Sequence, residues 1–324
     1  MRRRWALVAG IALLALVLAG AALAGNGGIA PPSPHSPNAH RITDAYWLIL
    51  GITGAMFVLV EGALVTFIVK YRNRGRERTA EGPQVIGHTR LEIIWTVIPV
   101  LILAAIVSFV LYKLPGIKDV PAAKAQGGPM RIKVEAHQFY WEFRYPNGAA
   151  SVDELHAPVN EVVRVDIHSE DVDHSWWIPE LGGKFDAIPG RVNHTWFRAT
   201  KPGTYRGQCG EFCGIFHAKM NARVLIESRS AYESFITSGA KRELGRALFR
   251  GSCAKCHGFN GKGDYGPNIV GSPILQSASQ LTQLVRNGRD TGGTPGFMPP
   301  VGRGWSKIEV NALVKYVQEH VGGG

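Results

Sequence analysis

The stretch Cys209-Gly-Glu211-Phe-Cys213-Gly-Ile-Phe-His217-Ala-Lys-Met220 places two thiols, an imidazole and a thioether within twelve residues. Soft sulfur beside imidazole selects copper or zinc over hard cations. One cysteine with a histidine and a weak methionine is the ligand set of a mononuclear blue-copper site. A second cysteine lets two thiolates bridge two coppers, which asks for a second histidine. His174, in Asp171-Val-Asp173-His174-Ser-Trp-Trp-Ile-Pro179, is the candidate. Three plainer readings compete. A disulfide leaves His217 and Met220 without a role. Zinc has little use for a thioether. Met220 could be core, the usual fate of methionine, yet the chain has only five methionines.

At these residues the chain resembles subunit II of cytochrome c oxidase. The resemblance covers about residues 46–228. It rests also on Leu91-Glu-Ile-Ile-Trp-Thr-Val-Ile-Pro99, Gln138-Phe-Tyr-Trp141, Ser169-Glu-Asp-Val-Asp-His-Ser-Trp-Trp-Ile-Pro179 and Lys184-Phe-Asp-Ala-Ile-Pro-Gly-Arg191. It implies a binuclear copper A centre held by His174, Cys209, the Glu211 carbonyl, Cys213, His217 and Met220. It also implies a magnesium ion that Glu211 shares with subunit I, and a proton-channel mouth at Glu92. Family members fed by a separate cytochrome c usually carry Trp where this chain has Phe139.

The 324 residues suffice for two domains or more. The net charge of +11 is compatible with nucleic acid, membrane or protein partners. The arginines cluster beside apolar runs, which favours the bilayer over nucleic acid. All four cysteines fall in two compact motifs, so none is left for a long-range disulfide framework.

Residues 1–24 have a basic start, an apolar run and an Ala-Leu-Ala ending, the form of a cleaved signal peptide. Residues 25–45 read as a leader, with Gly, Pro and Ser frequent up to 38. Residues 46–114 read as a transmembrane hairpin. Its first apolar run, 46–69, reaches roughly 36 Å as a helix; the second is 93–114. Glu61 interrupts the first, and such a carboxylate should face protein or water. Lys70, Arg72, Arg74, Arg76 and Arg78 between the runs should stay cytoplasmic. This predicts a bacterial plasma-membrane protein whose later domains face the periplasmic, or outer, side. Without the resemblance, Glu92 reads as an interfacial carboxylate at a helix start.

From Met130 the residues alternate apolar and polar, as in half-buried strands. Residues 121–229 are expected to be all-β, and the resemblance implies a cupredoxin-like Greek-key barrel. The acidic group Glu170, Asp171 and Asp173 reads as a solvated loop or a docking surface. Residues 230–240 are expected to be a flexible linker. Beyond it, Cys253-Ala-Lys-Cys256-His257 is the attachment signature of c-type haem. A thioredoxin-like pair would need a βαβ setting that is absent. Gly251-Ser-Cys-Ala-Lys-Cys-His-Gly258, Gly266-Pro-Asn268 and the Met-Pro-Pro run make residues 241–324 resemble an all-α class I cytochrome c. Cys253 and Cys256 would form the thioethers, with His257 and Met298 as axial ligands.

The sequence therefore predicts a multidomain chain that passes electrons from cytochrome c, or an upstream respiratory complex, through haem c and two coppers to subunit I. Subunit III is a further expected partner, and oxygen reduction with proton translocation the expected outcome. The chain itself holds no ligand set for an oxygen-reducing centre. A subunit of a nitric-oxide-reducing relative, or a membrane copper-delivery protein, are the alternatives.

Overall fold

The computed structural model describes residues 30–72, 84, 86–121, 128–290 and 297–322. The signal segment, the first part of the leader, Arg74, Arg76, Arg78 and Gly296 lie outside the described residues. The chain divides into two units, one of residues 40–117 and one comprising the rest.

Two helices dominate the smaller unit, α1 (Pro37–Tyr71) and α2 (Thr89–Lys118). Both are long and apolar enough to cross a membrane, with mean hydropathies of 2.2 and 2.7. They extend beyond the apolar runs because a helix keeps satisfying its own backbone after the hydrocarbon ends. Their hydroxyls are spent internally: Thr53 donates to the Ile49 carbonyl (2.9 Å) and Ser108 to that of Ala104 (2.8 Å). Lys113 of α2 meets Asp44 of α1 at 2.7 Å. The start of one helix therefore lies beside the end of the other, as in an antiparallel hairpin. Glu92 sits in the first turn of α2, where its carboxylate accepts from the His88 amide at 3.1 Å.

The larger unit begins with a β-sandwich. Its strands are β1 (Met130–His137), β2 (Tyr140–Arg144), β3 (Ala150–Val152), β4 (Glu154–Pro158) and β5 (Val163–Ser169). They continue with β6 (His174–Trp177), β7 (Phe185–Ala187), β8 (Asn193–Phe197), β9 (Gly203–Cys209) and β10 (Asn221–Glu227). One sheet runs β3-β2-β1-β5-β8 and the other β4-β10-β9-β6-β7. Parallel pairing of β1 with β5 sets Ile132 beside Val165 and Val134 beside Ile167. These side chains alternate inward and meet Trp141, Phe143, Trp176 and Val224 in a closed core. Strand alternation thus makes one face of each sheet apolar.

Residues 229–257 form an almost continuous helical run: α3 (Arg229–Ser234), a π-helical turn over Phe235–Gly239, α4 (Ala240–Leu248), a second such turn over Phe249–Cys253, and α5 (Ala254–His257). The expected flexible linker is helical instead. Tyr232 is buried in the sandwich core, with Phe235 and Ile236 packed against it, so apolar burial orders the segment. The run continues to α6 (Pro273–Gln276), α7 (Ala278–Asn287), the strand pair β11 (Arg289–Asp290) and β12 (Phe297–Met298), and α8 (Lys307–His320). Ser306 and Glu309 form a capping box at the start of α8. Helices α4 and α8 touch at Gly245, where any side chain would overlap the Ala312 carbonyl. A second core joins Leu244, Leu248, Phe249, Leu313 and Val317 to Tyr140, Ala150 and Val152 of the sandwich. The helical domain therefore covers the outer face of the first sheet.

Candidate copper and haem sites

The loop between β9 and β10 carries the sulfur cluster. Cys209 ends β9, Met220 directly precedes β10, and the Cys209 amide donates to the Met220 carbonyl at 2.9 Å, closing the loop. Gly214 takes φ +133°, and a Cβ there would press on Gln138 and the Phe139 ring. His174 enters from the start of β6 and is fully buried, as is Met220. Both cysteines are free thiols with their sulfurs 3.9 Å apart. His174 Nδ1 lies 3.9 Å from Cys209 Sγ, and His217 Nδ1 3.5 Å from Cys213 Sγ. Met220 Sδ is 3.8 Å from Cys213 Sγ, and the Glu211 carbonyl 3.1 Å from Cys209 Sγ. All six sequence-predicted groups converge. One imidazole flanks each sulfur, as a bridged pair requires.

Charge in the cluster is shared. A hydrogen bond from Cys213 holds the Cys209 thiol far below its usual range despite burial, and Cys213 is pushed up in return. The pair behaves as one thiolate and one thiol. Burial opposes charge on His174, but the Asp171 carboxylate and the Cys209 sulfur outweigh it and raise its pKa. Soft metal binding would release the shared proton.

The helical domain encloses a cavity of about 610 Å³ lined by Cys253, Cys256, His257 and Met298 among mostly apolar side chains. That size suits a cofactor. His257 Nδ1 lies 2.8 Å from the Pro267 carbonyl, to which it donates, leaving Nε2 free as a ligand. Gly266 packs against the same ring. Burial pushes the Cys253 thiol up to about 11 and raises Cys256, so both stay neutral. The donor types and the cavity fit a covalently attached haem.

Comparison with known proteins agrees across the chain. Residues 26–112 match the transmembrane domain of cytochrome c oxidase subunit II, and residues 150–228 its periplasmic domain. Residues 240–317 match cytochrome c oxidase, cbb3-type, subunit III. Cytochrome c oxidase subunit 2 of Alkalihalophilus pseudofirmus is 33% identical over 315 residues, covering 88% of this chain and 89% of that one. This chain belongs to the cytochrome c oxidase subunit 2 family. The subunit 2 of Cereibacter sphaeroides is 31% identical over 259 residues, 65% of this chain and 82% of that one. A crystal structure of the periplasmic domain of subunit II of cytochrome oxidase from Bradyrhizobium japonicum is 34% identical. It covers 38% of this chain and 98% of that one, at a TM-score of 0.35. The protein is thus subunit II of a cytochrome c oxidase with a fused cytochrome c domain, a bacterial membrane protein with an extracellular domain. Family membership implies copper and haem binding, a complex with subunit I and a cytochrome c donor.

Two supporting residues escaped the sequence reading. Asp171, read as part of a solvated loop, accepts from His174 Nε2 at 2.8 Å and from the Gln138 amide at 2.6 Å. Gln138 Nε2 donates to the Cys213 carbonyl at 2.6 Å. An Asp three residues before a ligand histidine was the available signal. In this subunit 2 the helical domain docks on the outer sheet face, with Lys255 paired to Asp153 at 3.1 Å. Asp171→Asn should weaken copper binding about 10- to 100-fold, the usual loss when a ligand's partner is altered. Chelator competition would measure this, with haem absorbance unchanged.

Proposed function

We propose that this subunit carries electrons from cytochrome c, or an upstream respiratory complex, through haem c and a two-copper centre to subunit I, where oxygen is reduced to water with proton translocation. One observation carries the reading: the sulfur cluster and the haem-sized cavity lie in one packed unit and are linked by aromatic rings. Tyr265 lines the cavity and stands edge-on to Phe216 at 5.0 Å. Phe216 stands edge-on to Phe139 at 5.4 Å and directly precedes His217. Lys255, between the two haem cysteines, donates to the Phe139 carbonyl. Side chains thus run from the cavity wall to the sulfur loop.

In this reading His174, Cys209, the Glu211 carbonyl, Cys213, His217 and Met220 hold two coppers. Cys253 and Cys256 attach the haem, with His257 and Met298 on its iron. Copper and haem bound there would supply single-electron exchange. Burial of His174, Cys209, Cys213 and Met220 would limit reorganisation around bound metals. The exposed Glu211 carboxylate, 3.1 Å from Lys184, would share magnesium with subunit I. Residues 1–24 would be a signal peptide and 46–114 the membrane hairpin. Residues 121–229 would be the copper domain and 241–324 the haem domain, both on the periplasmic face, with subunit III as a further partner.

Glu92, at the start of α2, would serve a proton channel from the cytoplasmic side. The test is oxygen consumption by the purified complex with reduced cytochrome c, in wild type and Glu92→Gln. Turnover should fall several-fold in the variant while copper and haem spectra stay unchanged, because an interfacial carboxylate supports little structure. A complex that consumes no oxygen would overturn the reading. Undiminished turnover in the variant would remove Glu92 from it.

A further inference from the structure

The outer face of the first sheet carries a second convergence of ligands. Glu135 and His137 stand two residues apart on β1 and so share a face, and Glu142 on β2 is the cross-strand partner of Glu135. One ligand atom from each lies within 4.8 Å of the others. Three donors from two paired strands form a rigid tripod. None of the three belongs to the copper or haem ligand sets.

These atoms are buried and unserved. His137 is 7% exposed and Glu142 0%. Among the described residues, His137 Nε2 and both Glu142 carboxylate oxygens make no hydrogen bond of good geometry, although the Glu309 carboxyl lies close enough to Glu142 to share a proton with it. His137 Nε2 lies 3.9 Å from Glu142 Oε2, too far for a hydrogen bond. Two ligands on one ion, each about 2.0–2.2 Å from it, can stand at nearly this separation. The imidazole is held for the purpose. It stacks on Tyr140 at 4.6 Å, and the Tyr140 hydroxyl accepts from Trp305 Nε1 of the helical domain at 2.7 Å.

Charge points the same way. Arg144 Nε is 2.7 Å from Glu135 Oε2, and its Nη2 lies 2.8 Å from Glu142 and 3.0 Å from Glu309. The Glu142 contact lacks hydrogen-bond geometry. Three carboxylates therefore crowd one guanidinium where little water reaches, and burial beside Glu309 pushes Glu142 up to about 10, toward its neutral form. A proton can be displaced from such a carboxyl group by a bound divalent cation, which would also serve the crowded carboxylates beside it. The donors are one imidazole and two carboxylates with no thiolate, which suits zinc-class ions more than soft copper(I). Arg144 would then hold the carboxylates in place from behind.

We propose that Glu135, His137 and Glu142 form a second metal site, for a divalent cation of the zinc class, at the seam between the copper and haem domains. Through Arg144 it adjoins Glu309, which also caps α8. Occupancy would tie the haem domain to the sheet it covers.

The test uses the full-length subunit in its oxidase complex, replete in copper and haem. The complex is equilibrated with zinc, dialysed, and analysed for zinc per haem c and by zinc-edge X-ray absorption. Wild type should keep one more zinc per chain than Glu142→Gln or His137→Asn, with affinity at least about tenfold higher. Copper and haem content should be equal in all three. The additional zinc should show nitrogen and oxygen neighbours only. Equal zinc in wild type and both variants would overturn the site, and so would a sulfur shell, which would place the zinc among the copper thiolates. Should the variants fail to assemble, wild type decides alone: no retained zinc with a nitrogen and oxygen shell at micromolar free zinc refutes the proposal.

Discussion

Replacing Cys213 with serine should abolish the electron paramagnetic resonance pattern of two equivalent coppers and lower oxidase turnover at least about 100-fold. Cys213 lies within 3.5–3.9 Å of His217, Met220 and Cys209. Losing even an outer partner of a ligand costs 10- to 100-fold, and a bridging thiolate contributes more. A serine hydroxyl is harder and is not deprotonated at neutral pH, so it cannot hold a soft metal pair. The expected remnant is a four-line signal from one copper on Cys209 and His174, or no copper at all. The haem spectrum should persist, because the core beneath the helical domain contains no residue of the copper loop. A two-copper pattern surviving in Cys213→Ser would sink the assignment.

Removing the haem domain should leave the copper centre intact yet cut turnover with soluble cytochrome c at least roughly tenfold, provided the cut falls after Gly239. Docking makes the donor intramolecular, and such linkage is worth a factor of this order or more. Phe139, where the family resemblance leads one to expect Trp in a subunit fed by a separate cytochrome c, is in line with reliance on the attached domain. The site of the cut matters. Ending the chain after Ser230 also strips Tyr232, Phe235 and Ile236 from the sandwich core. Losing a buried aromatic costs about 3–5 kcal/mol. The shorter fragment should therefore melt roughly 10 °C or more below the longer one. Calorimetry of the two fragments and stopped-flow reduction of copper in the corresponding complexes would check both effects. Equal reduction rates with and without the haem domain would show that soluble donors reach copper directly.

Local spacing determined much of this protein. Four of the side chains proposed for copper lie within one loop, from Cys209 to Met220, so a single turn of backbone brings them together. Cys253, Cys256 and His257 are equally local. The membrane helices follow from apolar length alone, because a bilayer demands a run of about 20 residues and little else. Even the distant His174 was legible as a neighbour of the sulfurs, where it lies 3.9 Å from Cys209, since a bridged metal pair would call for a second imidazole.

Only the tertiary structure decided what covers each surface. The alternation along Met130–His137 and Tyr140–Arg144 separates Ile132, Val134 and Ala136 from Lys133, Glu135 and His137. It reads as one core face and one solvent face. A period of two encodes the existence of two faces but not the partner of either. Here the helical domain lies on the polar face, buries Glu142 and sets Arg144 against Glu309. The same holds for residues 230–240. Their polar and small residues suggest a tether, and only contact with the sandwich makes Tyr232 and Phe235 core. Asp171 likewise changed from loop acid to partner of His174, because its role depends on where a ring 35 residues from Cys209 comes to rest.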